Sequence, residues 1–156
     1  MIIDTTGNSQ AAKEYFNSGL VKAHQQDYIG AMIDFSLAIE INPKYGKAYD
    51  NRGIIKAKLQ DYTGSITDTS KSIEINPKNY RAFYNRGRTK CHLKDYEGAI
   101  TDFTEAIRRN PKYTAAYFNR GVIKLILEQN NSGLVDLYKA KYYGDESADE
   151  VIRKYC

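Results

Sequence analysis

A period of 34 residues runs through the chain. Asn-Arg-Gly stands at Asn51–Gly53, Asn85–Gly87 and Asn119–Gly121, and a looser Asn-Ser-Gly lies one period earlier at Asn17–Gly19. The same spacing recurs in Asp27-Tyr28, Asp61-Tyr62 and Asp95-Tyr96, and in Asn42-Pro43, Asn76-Pro77 and Asn110-Pro111. A fixed period in this range marks a supersecondary unit stacked on its own copies, each too small to bury its apolar face alone. The core of such a chain is a seam between neighbours, and its class of work is binding.

Taken in order, Met1 to about Ser9 is a polar lead. A first helix is expected from about Gln10 to Gln26, and a second, capped by Asp27, ends near Asn42. Asn tolerates the left-handed conformation at a helix end, and Pro43 cannot continue the ladder. The pair repeats as Gly46–Gln60 with Tyr62–Ile75, then Tyr80–Lys94 with Tyr96–Arg109, then less regularly as Thr114–Glu128 with Asn131–Tyr142. In the fourth pair Asn130 replaces the tyrosine and Gly144 replaces Asn-Pro as the stop. Residues 147–156 read as a short helix capping the open end, which a solenoid needs because its last packing face is otherwise wet. The chain is therefore one domain, with repeats at about 12–45, 46–79, 80–113 and 114–147.

The unit resembles the tetratricopeptide repeat, which has an aromatic residue and a Gly early in the first helix, Ala and Phe in the second, and a closing Pro. The matching residues are Tyr15, Gly19, Ala31, Phe35, Ala38 and Pro43; Tyr49, Gly53 and Pro77; Phe83, Gly87, Ala99, Phe103, Ala106 and Pro111; and Tyr117, Gly121, Leu137 and Ala140. The resemblance implies an all-α fold, a right-handed superhelical solenoid of antiparallel helix pairs with the first helices lining a concave groove. Ser65, Thr69 and Ser72 depart from the pattern. With Thr in place of a buried ring, the second repeat is expected to be the softest joint of the array.

At 100° per residue Asn51 lies about 200° from the packed Tyr49 and faces away from the core. Lys47, Asn51, Ile54 and Lys58 then form one stripe, with equivalents Lys13, Asn17, Leu20 and His24; Arg81, Asn85, Arg88 and His92; and Ala115, Asn119, Val122 and Ile126. Stacked helices lie roughly 8–10 Å apart and an extended peptide rises about 3.3 Å per residue, so each Asn meets every third ligand residue. An Asn amide offers a donor and an acceptor, which suits a peptide backbone of any sequence. This is similar to the asparagine ladder of superhelical tetratricopeptide proteins. An inherited polar residue with no such role is the alternative. The basic residues Lys13, Lys47, Lys58, Arg81 and Arg88, with His24 and His92 among them, point to an acidic, extended protein or peptide ligand with an apolar residue near Val122 and Ile126. The competing reading is a solvated basic face whose apolar end is covered by the C-terminal segment or a second subunit. The carboxylate clamp of some family members is absent, since Phe16 and Leu20, or Asp50 and Ile54, stand where it would start.

Asp34, Asp68 and Asp102 precede Arg52, Arg86 and Arg120 by 18 residues, and Asp136 stands in the same relation to Lys154. They are expected to form partly buried pairs between adjacent repeats that set the stacking register.

The remaining chemistry is excluded rather than found. There is no phosphate-cradling loop. His24 and His92 lie two repeats apart, too far to share a metal, and Cys91 and His92 diverge by about 100° on one helix. No metal site, no cofactor and no enzymatic activity is expected. Twenty-three basic against 19 acidic side chains give a net charge of only +4, which argues against a dedicated polyanion binder. Nucleic acid is the weakest reading, and self-association through Phe118, Val122 and Ile126 is the main alternative to peptide binding. Two cysteines and no apolar span or signal segment point to a reducing, cytoplasmic setting for a complete chain and to no membrane partner.

Overall fold

The computed structural model describes residues 5–155, with side chains from Ser9 onward. Met1–Asp4 of the expected lead and Cys156 of the expected cap lie outside them. The described residues form nine helices and no strand: α1 (Thr5–His24), α2 (Tyr28–Ile41), α3 (Gly46–Lys58), α4 (Tyr62–Ile75), α5 (Tyr80–His92), α6 (Tyr96–Arg109), α7 (Thr114–Ile126), α8 (Asn130–Tyr142) and α9 (Ala148–Tyr155). The fold is all-α, built of the helix pairs α1/α2, α3/α4, α5/α6 and α7/α8 with α9 as the capping helix. No helix among the described residues is long and apolar enough to cross a membrane.

The helix starts follow the sequence. Asp27, Asp61 and Asp95 cap α2, α4 and α6, each accepting from the N–H of the Gly three residues on at 2.9, 2.9 and 3.0 Å. Three details of the ends differ from expectation. α1 begins at Thr5, five residues earlier than the pattern suggests. The first helix of every pair stops two residues early, because Gln26, Gln60, Lys94 and Glu128 adopt φ of 63°, 65°, 58° and 60°. Each belongs to a Schellman closure, as in Asp27 N–H to Lys22 C=O at 2.9 Å and Gln26 N–H to Ala23 C=O at 3.1 Å. Gln, Lys and Glu carry no sequence signal for that conformation. Finally, Asn42, Asn76 and Asn110 are not left-handed but extended, at φ −130°, −133° and −133°. The following proline forbids the helical region to the residue before it. Asn42 Oδ1 instead accepts from Lys44 N–H at 3.1 Å, turning the chain toward the next helix.

The chain divides into two compact units, Met1–Pro77 and Lys78–Cys156. In the first, α1 packs on α2, α2 on α3 and α3 on α4. Phe16, Ala31, Phe35, Ala38, Ile39, Ala48 and Ile55 form its core. Gly19 lets the Phe35 ring edge come so close that a Cβ would stand 2.7 Å from it. In α4 the equivalent of that ring is Thr69, wholly buried with Ser65 and Ser72. The Thr69 methyl lies against Gly53, and its hydroxyl donates to Ser65 C=O at 2.7 Å within the same helix.

In the second unit Phe103 packs on Gly87 as Phe35 does on Gly19, and Leu137 packs on Gly121. α9 closes the end of this unit against α8. Its Ala148 and Ile152 join Tyr117, Leu125, Leu137 and Ala140 in one cluster.

The charged lattice corrects the expected pairing. Asp68 is held bidentately by Arg52 at 2.8 and 2.8 Å and by Lys56 at 2.8 Å. Asp102 is held in the same way by Arg86 and Lys90, and Asp136 by Arg120 and Lys124. Asp34 takes Lys22 at 2.7 Å and Ser18 Oγ at 2.6 Å. Each carboxylate therefore pairs within its own repeat, with the Arg 16 residues before it rather than 18 after. The reason is geometric: the Arg and the Lys four residues on share one face of the first helix, directed at its antiparallel partner. Lys154 pairs with Glu150 at 3.0 Å, not with Asp136. The arginine does reach the preceding repeat, but through a hydroxyl: Arg52 NH1 donates to Ser36 Oγ at 3.1 Å and Arg120 NH1 to Thr104 Oγ1 at 2.9 Å.

Candidate peptide-binding face

The stripe residues all lie on first helices, and the structure sorts them by exposure. In the N-terminal unit Lys13, Asn17, His24, Lys47 and Lys58 are exposed, while Leu20, Asn51 and Ile54 are half-buried. In the C-terminal unit Arg81, Arg88 and His92 are exposed, Asn85, Asn119 and Val122 are half-buried, and Ile126 is 53% exposed. Several of the cations rest on rings. Lys58 Nζ lies 5.4 Å from the Tyr28 centroid, and the Arg81 and Arg88 guanidinium carbons lie 5.9 and 5.8 Å from those of Tyr80 and Tyr84.

The asparagines are tied to their own helices. Asn51 Nδ2 donates to Lys47 C=O at 2.8 Å, and Asn119 Nδ2 donates to Ala115 C=O at 2.8 Å. This orients each amide, since only its NH2 end can face a carbonyl. Asn119 makes a second bond, 3.1 Å to the hydroxyl of Tyr84 on α5. Sequence reasoning missed Tyr84. It occupies the position of Phe16 and Phe118 and reads as packing; the added hydroxyl is the signal that sets it apart.

Around Tyr84 the unit carries an aromatic cluster. Tyr113 lies edge-on to Tyr84 at 5.0 Å and to Tyr80 at 4.8 Å, and Tyr84 tilts against Phe103 at 5.7 Å. Burial raises the pKa of Tyr84 and pushes that of Tyr113 up to about 12, so both phenols stay protonated donors at neutral pH. In the N-terminal unit the corresponding contact is Phe16 with Tyr45 at 5.0 Å, which has no hydroxyl on α1.

The apolar fourth stripe is partly consumed. Phe118 and Val122 pack against the cluster that contains Ile152 of α9, leaving Ile126 exposed. Cys91 is half-buried, and burial pushes its thiol up to about 11, so it holds no thiolate for nucleophilic chemistry at neutral pH.

Residues 80–113, which span α5 and α6, match the profile of the tetratricopeptide repeat. The chain belongs to the tetratricopeptide-repeat family. Its other repeats keep the same 34-residue phase. Chains of this family are generally protein-interaction scaffolds rather than enzymes. No curated protein sequence matches the chain significantly. Among solved structures it is similar to the MamA protein, at a TM-score of 0.84 and 18% identity over 94% of this chain and 81% of that one. It is also similar to YrrB, described as a tetratricopeptide-repeat protein with an unusual peptide-binding site, at 0.79 and 22% over 94% and 76%. A third is the first tetratricopeptide domain of Spaghetti (RPAP3) bound to the HSP90 peptide SRMEEVD, at 0.75 and 20% over 77% and 95%. At these identities the likeness is one of fold.

Proposed function

We propose that this tetratricopeptide chain binds extended protein segments on the faces of its first helices, with Asn17 and Asn51 serving on one unit and Asn85 and Asn119 on the other. The observation that carries the reading is the return of an amide at one helical position in every repeat, beside a packed face it does not need to complete. The helix carbonyls that Asn51 and Asn119 engage fix each amide in one orientation, which leaves the Oδ1 end for a ligand. Lys13, Lys47, Arg81 and Arg88 beside these rungs favour acidic side chains in the bound segment, and exposed Ile126 favours an apolar one. Two of the similar structures carry peptide-binding descriptions, which supports the kind of ligand and not its sequence.

The test is selection from a random twelve-residue display library on the wild-type chain. The selected peptides are then measured against an Asn51→Ala, Asn85→Ala variant whose helicity and melting are unchanged. Enrichment of a family of peptides that the variant binds at least tenfold more weakly is expected. Equal binding by both proteins, or no enrichment at all, removes the reading and leaves self-association in its place.

A further inference from the structure

The hydrogen bonds around Asn119 leave it and Tyr84 with complementary vacancies. An Asn amide has two N–H donors, and at Asn119 both are used, one on Ala115 C=O at 2.8 Å and one on the Tyr84 hydroxyl at 3.1 Å. The Ala115 bond excludes the flipped amide, which would set oxygen against oxygen. The Asn119 Oδ1 therefore keeps only its acceptor function. The Tyr84 oxygen accepts from Asn119, so its own proton points elsewhere, and no acceptor for it lies among the described residues. Both side chains are half-buried, on adjoining first helices of the C-terminal unit. One acceptor and one donor thus stand side by side, joined by the hydrogen bond between them.

A residue in an extended strand points its N–H and C=O to the same side. We infer that Tyr84 and Asn119 form a two-point site for a single residue of an extended peptide, Asn119 Oδ1 accepting from its N–H and the Tyr84 hydroxyl donating to its C=O. Because the two contacts differ in polarity, the pair fixes the direction in which the peptide runs, which a row of freely rotating amides does not. The other repeats lack it on this side: the residues at the Tyr84 position are Phe16, Asp50 and Phe118. This site therefore sets the register of the ligand, and the remaining asparagines follow from it. Rings hold the donor in place, Tyr113 at 5.0 Å and Phe103 at 5.7 Å, with Arg88 over the face. The inference rests on the peptide-binding reading above and adds the residue that orients the ligand.

The probe is the tightest peptide from the wild-type selection, synthesised with a fluorescein label and read by anisotropy. Tyr84→Phe keeps the ring and its neighbours and removes only the hydroxyl. The expected loss is roughly three- to tenfold in Kd, the size of one neutral hydrogen bond. Asn119→Ala weakens binding similarly, and the double variant binds less weakly than the two losses multiplied. Methylating each backbone nitrogen of the peptide in turn should reveal one position whose methylation weakens binding to wild type but not to Asn119→Ala. If Tyr84→Phe lowers the melting temperature and leaves Kd unchanged, the bond is an inter-helix tie only and the inference is overturned. An N-methyl scan on wild type with no such position overturns it equally, without relying on any variant. In both cases the selected peptide still binds, so the broader reading survives; a library that yields no binder ends both.

Discussion

Asp102 is 1% exposed, yet two cations hold it: Arg86 through both guanidinium edges and Lys90 through its ammonium. A carboxylate this far from water is stable only while its partners remain, and each partner is stable only while the carboxylate does. Asp68 and Asp136 repeat the arrangement, and Asp34 repeats it with Ser18 in place of an Arg. Asp34 loses solvation by burial, which raises its pKa, but Lys22 and Ser18 outweigh that and hold it below the ordinary carboxylate range. Asp102→Asn keeps the shape and removes the charge, leaving Arg86 and Lys90 facing each other unneutralised. The expected cost is roughly 3 kcal/mol in urea unfolding. A cost under about 1 kcal/mol would mean that the lattice is solvated and contributes little. Arg52 and Arg120 add a bond to Ser36 and Thr104, so one residue type both closes its own hairpin and ties it to the preceding one.

At the scale of the element, α4 and α6 make the informative comparison. Both are 14 residues long, start at an Asp cap and end in Asn-Pro. α6 buries Ala99, Phe103 and Ala106 where α4 buries Ser65, Thr69 and Ser72. Burying a Phe ring contributes roughly 1.5–3 kcal/mol of transfer free energy, and a Thr methyl far less. Thr69 meets its polar requirement with Ser65 C=O, so no buried side-chain polar atom goes without a partner, but satisfying a hydroxyl does not replace the lost apolar contact. Amide exchange in α4 is therefore expected to be at least tenfold faster than in α6, read residue by residue under native conditions. Equal protection would show that the close approach of Thr69 to Gly53 suffices. The other end of the element scale is α9, which covers the last pair with Ala148 and Ile152 and turns Glu150, Arg153 and Lys154 to water.

For the whole molecule, the balance of 23 basic and 19 acidic residues matters less than where each sign is placed. Four buried aspartates neutralise the cations that point between helices. The exposed cations of the first helices, Lys13, Lys47, Arg81 and Arg88, are what a ligand meets. Screening at 0.1 M salt acts over about 10 Å, so an acidic segment lying close to these side chains feels salt only moderately. Affinity for the selected acidic peptide is expected to fall several-fold between 50 and 300 mM NaCl, and affinity for its neutral analogue to stay nearly constant. A fall of several orders of magnitude would match counterion release from a polyanion and favour nucleic acid instead.

The sequence by itself determined the all-α repeat fold, the phase of the helices, the Asp caps and the Gly–ring contacts, because each is a local preference written four times at one spacing. It also marked the residues of the first-helix stripe. Tertiary structure decided what periodicity cannot separate. Asp34 and Arg52 lie 18 residues apart and Arg52 and Asp68 lie 16 apart, and both intervals recur in every repeat; only the antiparallel packing of a hairpin selects the second. The early helix ends at Gln26, Gln60, Lys94 and Glu128 were illegible for a related reason, since the turn is imposed by bringing each Asp cap back onto its partner helix and not by a residue that prefers it. The link between Tyr84 and Asn119 was hidden too: a hydroxyl that one repeat lends to the next becomes visible only when the two first helices lie side by side.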